Sequence, residues 1–430
     1  MTTTDDARVL ELVRRHGWNA TSFQVMQPGF QHFFHGPDAC VGYVDTGRAW
    51  VAAGAPLYVP KAIGEVAQAF IAAARARGRR ACFFGTEERF ARAAPDAAVR
   101  SLLIGEQAVW DPANWAAVLG GAPRLREQLR RARAKGVRVR EAAPDELADR
   151  ASPTAVAVEA LVQRWRGRHE MAPMGFLVDV DPLALRDDHR LYLAEVVEAD
   201  RGAATSMKVA PAHLVGLLAA SPIFARRGWL VEALVRAPDA PNGTTELLVD
   251  EAMRAAALDE DALVTLGLAP LAGRVAPALR WARSAGAVLF DFEGLRSFRA
   301  KLRPERWDPI YLSYPQGQGV VSSVLDVLRA FARGGLLRFG VETLLRGPAV
   351  IVRLLALALV PWTLALALSD GGRWFPSAAV KWAWVVFDVA LAFGLLTLTR
   401  RWRHRCWLSL RCGAFAGADG RGSSPLMVGK

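Results

Sequence analysis

The stretch "VRAPDAPNGTTELLV", residues 235–249, crowds Pro238, Asp239, Pro241, Asn242 and Gly243 into one turn and then supplies Glu246. Two carboxylates, an amide and a glycine therefore surround the start of a predicted helix. Backbone N–H groups at a helix start suit an anion, and a carboxylate one turn in suits a cation. The plainer reading is a turn with Gly243 at positive φ. A second candidate is "PRLREQLRRARAKGVRVR" (123–140), where Leu125, Leu129 and Ala132 form one narrow apolar stripe. Arg124, Arg126, Arg130, Arg131, Arg133 and Lys135 fill the rest of that helix, with Glu127 its one acid. Such a helix can neutralise several phosphates, although most charge runs are solvated faces.

Other chemistries find little support. The 7 histidines are scattered, and His32 with His35 lack a third ligand, so no metal site is expected. Cys40, Cys82, Cys406 and Cys412 form no CxxC pair and are too few for a disulfide scaffold, which fits a reducing compartment. No P-loop, GxSxG, HExxH or GxGxxG occurs in a fitting strand–helix context.

The positioning elements follow from periodicity. Helices are predicted at 5–17, 61–77, 153–168, 244–257, 274–285 and 293–302. A hairpin turns at Asp45-Thr46-Gly47 within 39–54. Further strands are expected at 81–86, 101–111, 228–238, 262–270 and in "PIYLSYP", with a strand–turn–strand across 191–211. The order of elements repeats, which suggests duplication of an α/β fold. Segment 203–227 is read as a helix-rich lid or a surface insertion.

At 430 residues the chain has room for two or three domains, and 54 Lys+Arg against 42 Asp+Glu give +12. That balance favours nucleic acid or an anionic membrane. The hydrophobic excess, 52% overall, concentrates late. Residues 324–347 form a basic amphipathic stretch suited to a membrane surface. Segments 348–368 and 376–399 are each long enough to span, with Asp388 costing the second about 2.5–3.5 kcal/mol. Arginines before and after the pair predict a hairpin with both ends in the cytosol. The N-terminus has no apolar signal core, so the preceding part is expected there too.

Four blocks in register, "RAWVAAGAP", "RAPDAPNGTTELLV", "TLGLAPLAG" and "FDFEGLRSFRAKLRPERWDPIYL", resemble the C-terminal catalytic domain of bacterial phosphatidylglycerol lysyl- and alanyltransferases. The likeness runs from about residue 20 to 315. It implies two tandem acetyltransferase-like (GNAT-type) folds: a first at 1–120, a basic connecting helix at 121–140, and a second, catalytic one at 141–315. An amphipathic linker at 316–347, two transmembrane helices at 348–400 and a basic, disordered tail at 401–430 complete the expected layout.

The resemblance implies transfer of an amino acid, lysine or alanine, from aminoacyl-tRNA to a hydroxyl of a lipid such as phosphatidylglycerol. No cofactor is needed, because one ester replaces another. The expected setting is the cytosolic face of a bacterial inner membrane, and cationic headgroups there would resist antimicrobial peptides. Glu246, Asp239 and Asn242 are the implied catalytic residues; Gly243, Gly267, Glu293, Arg296 and Lys301 are the implied substrate-binding ones. Residues 124–135 would then meet the tRNA. The chain departs from the family at Thr245-Glu246, where a Met-Asp pair is expected, and its apolar segments follow the catalytic part. Two rivals are an acyl-CoA-dependent N-acyltransferase, whose pyrophosphate loop is missing, and a catalytically degenerate membrane-surface binding protein.

Overall fold

A computed structural model describes residues 3–93, 99–167, 172, 174–178, 188–196, 213–271, 292–344, 350–369 and 375–412. The chain forms two compact units, Met1–His169 with Pro173–Phe339, and Glu170–Ala172 with Gly340–Lys430. In the first, β1 (Gln31–His35), β2 (Ala39–Asp45), β3 (Ala49–Ala53), β4 (Arg80–Thr86) and β5 (Val99–Trp110) are followed by β6 (Val137–Glu141) and β7 (Arg190–Val196). Then come β8 (His213–Ile223), β9 (Gly228–Arg236), β10 (Leu263–Pro270) and β11 (Arg306–Pro315). The helices are α1 (Thr3–His16), α2 (Ile63–Ala76), α3 (Glu88–Ala93), α4 (Trp115–Gly120), α5 (Pro123–Ala134), α6 (Pro153–Arg166), α7 (Thr244–Leu258), α8 (Phe292–Lys301) and α9 (Val320–Phe331). Helices α10 (Leu336–Leu344), α11 (Val350–Leu368) and α12 (Ala378–Cys412) follow.

Local chemistry explains the first hairpin. Gly47 takes φ +78 and donates its N–H to Asp45 Oδ1 at 2.7 Å, while Thr46 Oγ1 accepts from Ala49 at 3.1 Å. Every residue of β3 is buried, as a strand covered on both faces requires.

All strands join one mixed α/β sheet in the order β1-β2-β3-β4-β11-β5-β10-β9-β8-β7-β6. The repeat suspected from the order of elements is explicit in the pairing. β1–β2–β3 pair antiparallel and β3 pairs parallel with β4 across α2. Likewise β7–β8–β9 pair antiparallel and β9 pairs parallel with β10 across α7. Each half then gives away its next strand: β5 pairs with β10, and β11 pairs with β4. The two exchanged strands pair with each other at the centre. A seam of hydroxyls crosses this junction, Thr86 Oγ1 to Ser313 Oγ at 2.8 Å in the interior and Ser313 Oγ to Ser101 Oγ at 2.9 Å toward the surface.

Two expectations change. Residues 213–223, read as part of a lid, form β8, which is buried along its length after His213. A run of eleven strand residues with small and branched apolar side chains fits a core strand, whereas the lid or insertion reading rests on the unexpected length of the segment. The predicted helix at 274–285, the turn at 200–202 and Trp281 lie outside the described residues. In the second unit, Ala378–Leu395 is long and apolar enough to cross a bilayer, and Leu354–Leu368 is apolar but shorter. The described residues therefore contain one helix of spanning length where two were expected. Asp388 lies buried within that helix.

Candidate active site

The parallel pair β9–β10 is short. Leu263, Val264 and Thr265 pair with Gly228, Trp229 and Leu230, and beyond them the strands diverge. Each bears a bulge just past the fork. On β9, Glu232 is the extra residue between Val231 and Ala233, which face Ala220 and Ala219 of β8. On β10, Leu266 and Gly267 fall between Thr265 and Leu268, which face Val109 and Gln107. Gly267 takes φ +68 there, its N–H donating to Thr265 Oγ1 at 3.1 Å, and Thr265 Oγ1 in turn donates to the Ala108 carbonyl at 2.7 Å. The first half differs: β3 and β4 stay paired through Ala53 and Phe84, and Gly54 N–H extends the ladder to the Phe84 carbonyl at 2.7 Å. An extended substrate can enter between parallel strands only where they part, and of the two halves it is the second whose parallel pair ends early.

Gly243 caps α7 at φ +96. A Cβ there would meet the Gln128 carbonyl oxygen at 2.6 Å and Ala132 Cβ at 3.2 Å. The glycine is thus required twice, by its backbone angle and by the close crossing of basic helix α5. Three residues on, buried Glu246 accepts from Lys301 Nζ at 2.5 Å and from Thr245 Oγ1 at 3.0 Å. Burial pushes the Glu246 carboxyl up, but the hydrogen bond and charge of Lys301, with its own backbone N–H and Thr245, bring it below the ordinary value.

Lys301 and Glu246, predicted separately, therefore form one pair. Arg296 lies elsewhere: its guanidinium sits 4.8 Å from the Trp307 ring centre and 3.7 Å from Glu106. Asp239 and Asn242 lie exposed on the turn. Glu293 belongs to α8, but its side chain lies outside the described residues.

Two functional candidates escaped sequence reasoning. Arg299 on α8 is buried, and its Nη2 donates to the Leu266 carbonyl at 2.5 Å. Its Nε and Nη1 are buried with no hydrogen-bond partner, and burial lowers its pKa to about 10. A buried guanidinium with idle donors, beside the β10 bulge, has the chemistry to receive an anion or a developing oxyanion. Glu232 is the other. Its Oε1 lies 3.6 Å from His189 Nε2, both side chains are nearly covered, and Oε2 has no hydrogen-bond partner. The two groups stand beyond hydrogen-bond length but within ion-pair reach, with Glu232 set at the fork by the bulge.

On α5 the predicted stripe Leu125, Leu129 and Ala132 is buried. Arg130 and Arg131 share Glu127, at 2.8 and 2.7 Å. Arg126 donates to the Leu119 and Gly120 carbonyls. Arg133 is held at 2.7 Å by Asp250, a buried carboxylate that also accepts from Trp115 Nε1 and Arg254. Arg124 and Lys135 are exposed. Arg126, Arg130, Arg133 and Arg254 line one open groove.

Residues 10–314 match the family described as phosphatidylglycerol lysyltransferase, C-terminal. The chain belongs to this family. The bifunctional lysylphosphatidylglycerol biosynthesis protein LysX of Mycolicibacterium gilvum (strain PYR-GCK) is 25% identical over 320 residues, 67% of this chain and 27% of its own length. That of Mycobacterium marinum (strain ATCC BAA-535 / M) is 24% identical over 353 residues, 75% and 30%. The chain thus spans under a third of these relatives.

Two solved structures share the fold of this phosphatidylglycerol lysyltransferase C-terminal family. A C-terminal domain from Agrobacterium fabrum, assigned to a lysylphosphatidylglycerol synthetase, aligns at TM-score 0.64 with 20% identity, covering 77% of this chain and 98% of that one. L-PGS from Bacillus licheniformis aligns at 0.60 with 18% identity, covering 76% and 96%.

Proposed function

We propose that the chain is a lipid aminoacyltransferase that moves an amino acid, lysine or alanine, from aminoacyl-tRNA to a hydroxyl of phosphatidylglycerol. One observation carries the reading: β9 and β10 part at a fork where the bulge points Glu232 toward His189. Family membership supports a lipid acceptor. The close crossing of α5 at Gly243 supports a polyanionic donor, since a cationic helix then abuts the cleft.

The lipid hydroxyl attacks the aminoacyl carbonyl carbon and gives its proton to the Glu232–His189 pair. The tetrahedral oxyanion faces the idle N–H groups of Arg299, and the ribose hydroxyl leaves with the proton returned. One ester forms as another breaks, so the step needs orientation and charge stabilisation, with no energy source. Lys301 rests its ammonium on Glu246, a contact that supports reading that carboxylate as a seat for the aminoacyl α-ammonium in exchange for Lys301. Asp239 and Asn242 border the entrance on the exposed turn, and Gly267 lets the donor approach the β10 backbone. Arg296 and Glu293 on α8 are assigned to lipid headgroup contacts.

In this reading the two halves are tandem acetyltransferase-like folds, and α11 with α12 hold the enzyme to the cytosolic face of a bacterial inner membrane. A lysyl product would lower the anionic charge of that surface and blunt cationic peptides. The test is transfer in vitro, with the full chain, a panel of charged tRNAs and phosphatidylglycerol vesicles, read by mass spectrometry. An aminoacyl lipid from one charged tRNA supports the proposal; an unchanged lipid with every donor refutes it.

A further inference from the structure

Helix α9 covers the first-half sheet with one face and leaves the opposite face apolar. Ser323, Asp326, Val327 and Ala330 point inward and are buried. Val321, Leu325 and Leu328, at i, i+4 and i+7, point outward and are 72%, 37% and 47% exposed. The rotation of the helix is fixed by a buried carboxylate and its two arginines. Asp326 accepts from Arg80 Nε and Nη2, each at 2.7 Å, and from Arg329 Nη1 at 3.1 Å. A buried carboxylate left without those arginines would be costly, so the apolar stripe cannot roll inward to hide.

We infer that this outward face of α9 is a bilayer-docking surface that seats the catalytic unit on anionic lipid, its first-half sheet toward the membrane. Three features select a bilayer as the occupant. The stripe continues along the chain into exposed Leu337. Exposed Arg333 and Arg338 lie on either side of Leu337 in the chain, the mix of apolar and basic residues found on helices in an anionic interface. Farther on, the chain supplies Ala378–Leu395, a helix of bilayer-spanning length. The inference shares with the proposed function the anionic membrane and the anchoring helix, and none of the transfer chemistry.

Helix α2 lies on the other side of the same sheet. Trp50 and Phe83 pack with the α2 cluster, whereas Val51 and Cys82 pack with the α9 cluster. Exposed Gln68 on α2 is therefore a natural control.

The experiment places a nitroxide at Leu325→Cys, and separately at Gln68→Cys, in full-length chains whose Cys406 and Cys412 are changed to Ser. Buried Cys40 and Cys82 are retained. Both chains are reconstituted in vesicles of equal phosphatidylglycerol and phosphatidylcholine, and accessibility to oxygen and to a water-soluble nickel chelate is compared. The Leu325 label should lie ~5–10 Å below the headgroups and favour oxygen, while the Gln68 label should favour nickel. A Leu325 label as open to nickel as the Gln68 label overturns the inference, as does a Gln68 label that is the more deeply inserted. Depth is read without turnover, so an enzymatically silent chain still tests docking. A chain that transfers aminoacyl groups while Leu325 stays in water refutes docking alone.

Discussion

Arg299 and Glu246 are both buried, yet they should answer mutation in opposite ways. Arg299→Met removes an uncompensated interior charge, so stability should stay within about 1 kcal/mol of the parent or rise. Transfer should fall by ~10²-fold or more, the usual cost of losing one oxyanion donor. Urea titration beside a transfer assay checks both, and a fully active Arg299→Met protein would remove Arg299 from the mechanism. Glu246→Gln instead breaks a pair. The parent Glu246 titrates below the ordinary 4.5 in the folded state, so the charged form favours folding. That contribution is complete above about pH 4.5 and drains away as pH falls through the lower, folded value. Because Lys301 is 37% exposed, the loss at pH 7 should be modest, ~1–3 kcal/mol. The gap between parent and variant should close toward zero in acid, and a gap independent of pH would contradict the pairing.

Among the elements, the turn before α7 shows how far the sequence could be read. Pro-Asn-Gly before an apolar run announces a turn, a helix start and a glycine at positive φ, and all three are present. The hairpin at Asp45-Thr46-Gly47 and the stripe of α5 were legible for the same reason: their signals are local. Glu232 and Arg299 were not. In the sequence Glu232 is one more charge in a strand, and only the pairing with β8 reveals that a bulge turns it toward His189. Arg299 sits among Arg296, Lys301 and Arg303, and nothing local says which of these cations tertiary packing will bury. Gly243 offers a controlled test, because Gly29 shares its φ of +96 but has open space around its missing Cβ. Gly29→Ala should cost ~1 kcal/mol, the backbone strain alone. Gly243→Ala must also push α5 away from α7 and should cost at least ~3 kcal/mol, with transfer reduced further than stability explains. Equal costs in chemical denaturation would show that the crossing of α5 does not constrain the turn.

At the scale of the molecule, the exchange of β5 and β11 is the feature no local pattern could announce. Strand propensity says that 99–110 and 306–315 are extended; it does not say that each completes the half it did not come from. The consequence is energetic. A half carrying residues 1–135 keeps β5 but lacks β11, so β4 exposes an unpaired edge and β5 has no partner on either side. Residues 136–339 keep β11 but lack β5, which strips β10 of its neighbour beside the cleft. Neither half can satisfy its ladder alone, and the Thr86–Ser313–Ser101 hydroxyl seam cannot form in either. The unit that holds the eleven-stranded sheet should therefore unfold in one transition, with tryptophan fluorescence and far-ultraviolet circular dichroism coincident along a urea titration. Each fragment made alone should be aggregated or unfolded, because a bare edge in a large sheet invites association. The two made together should assemble into one soluble species, since every missing strand is then supplied by the other piece. Two separate transitions, or a folded monomeric fragment, would mean that the exchanged strands decorate halves already stable without them.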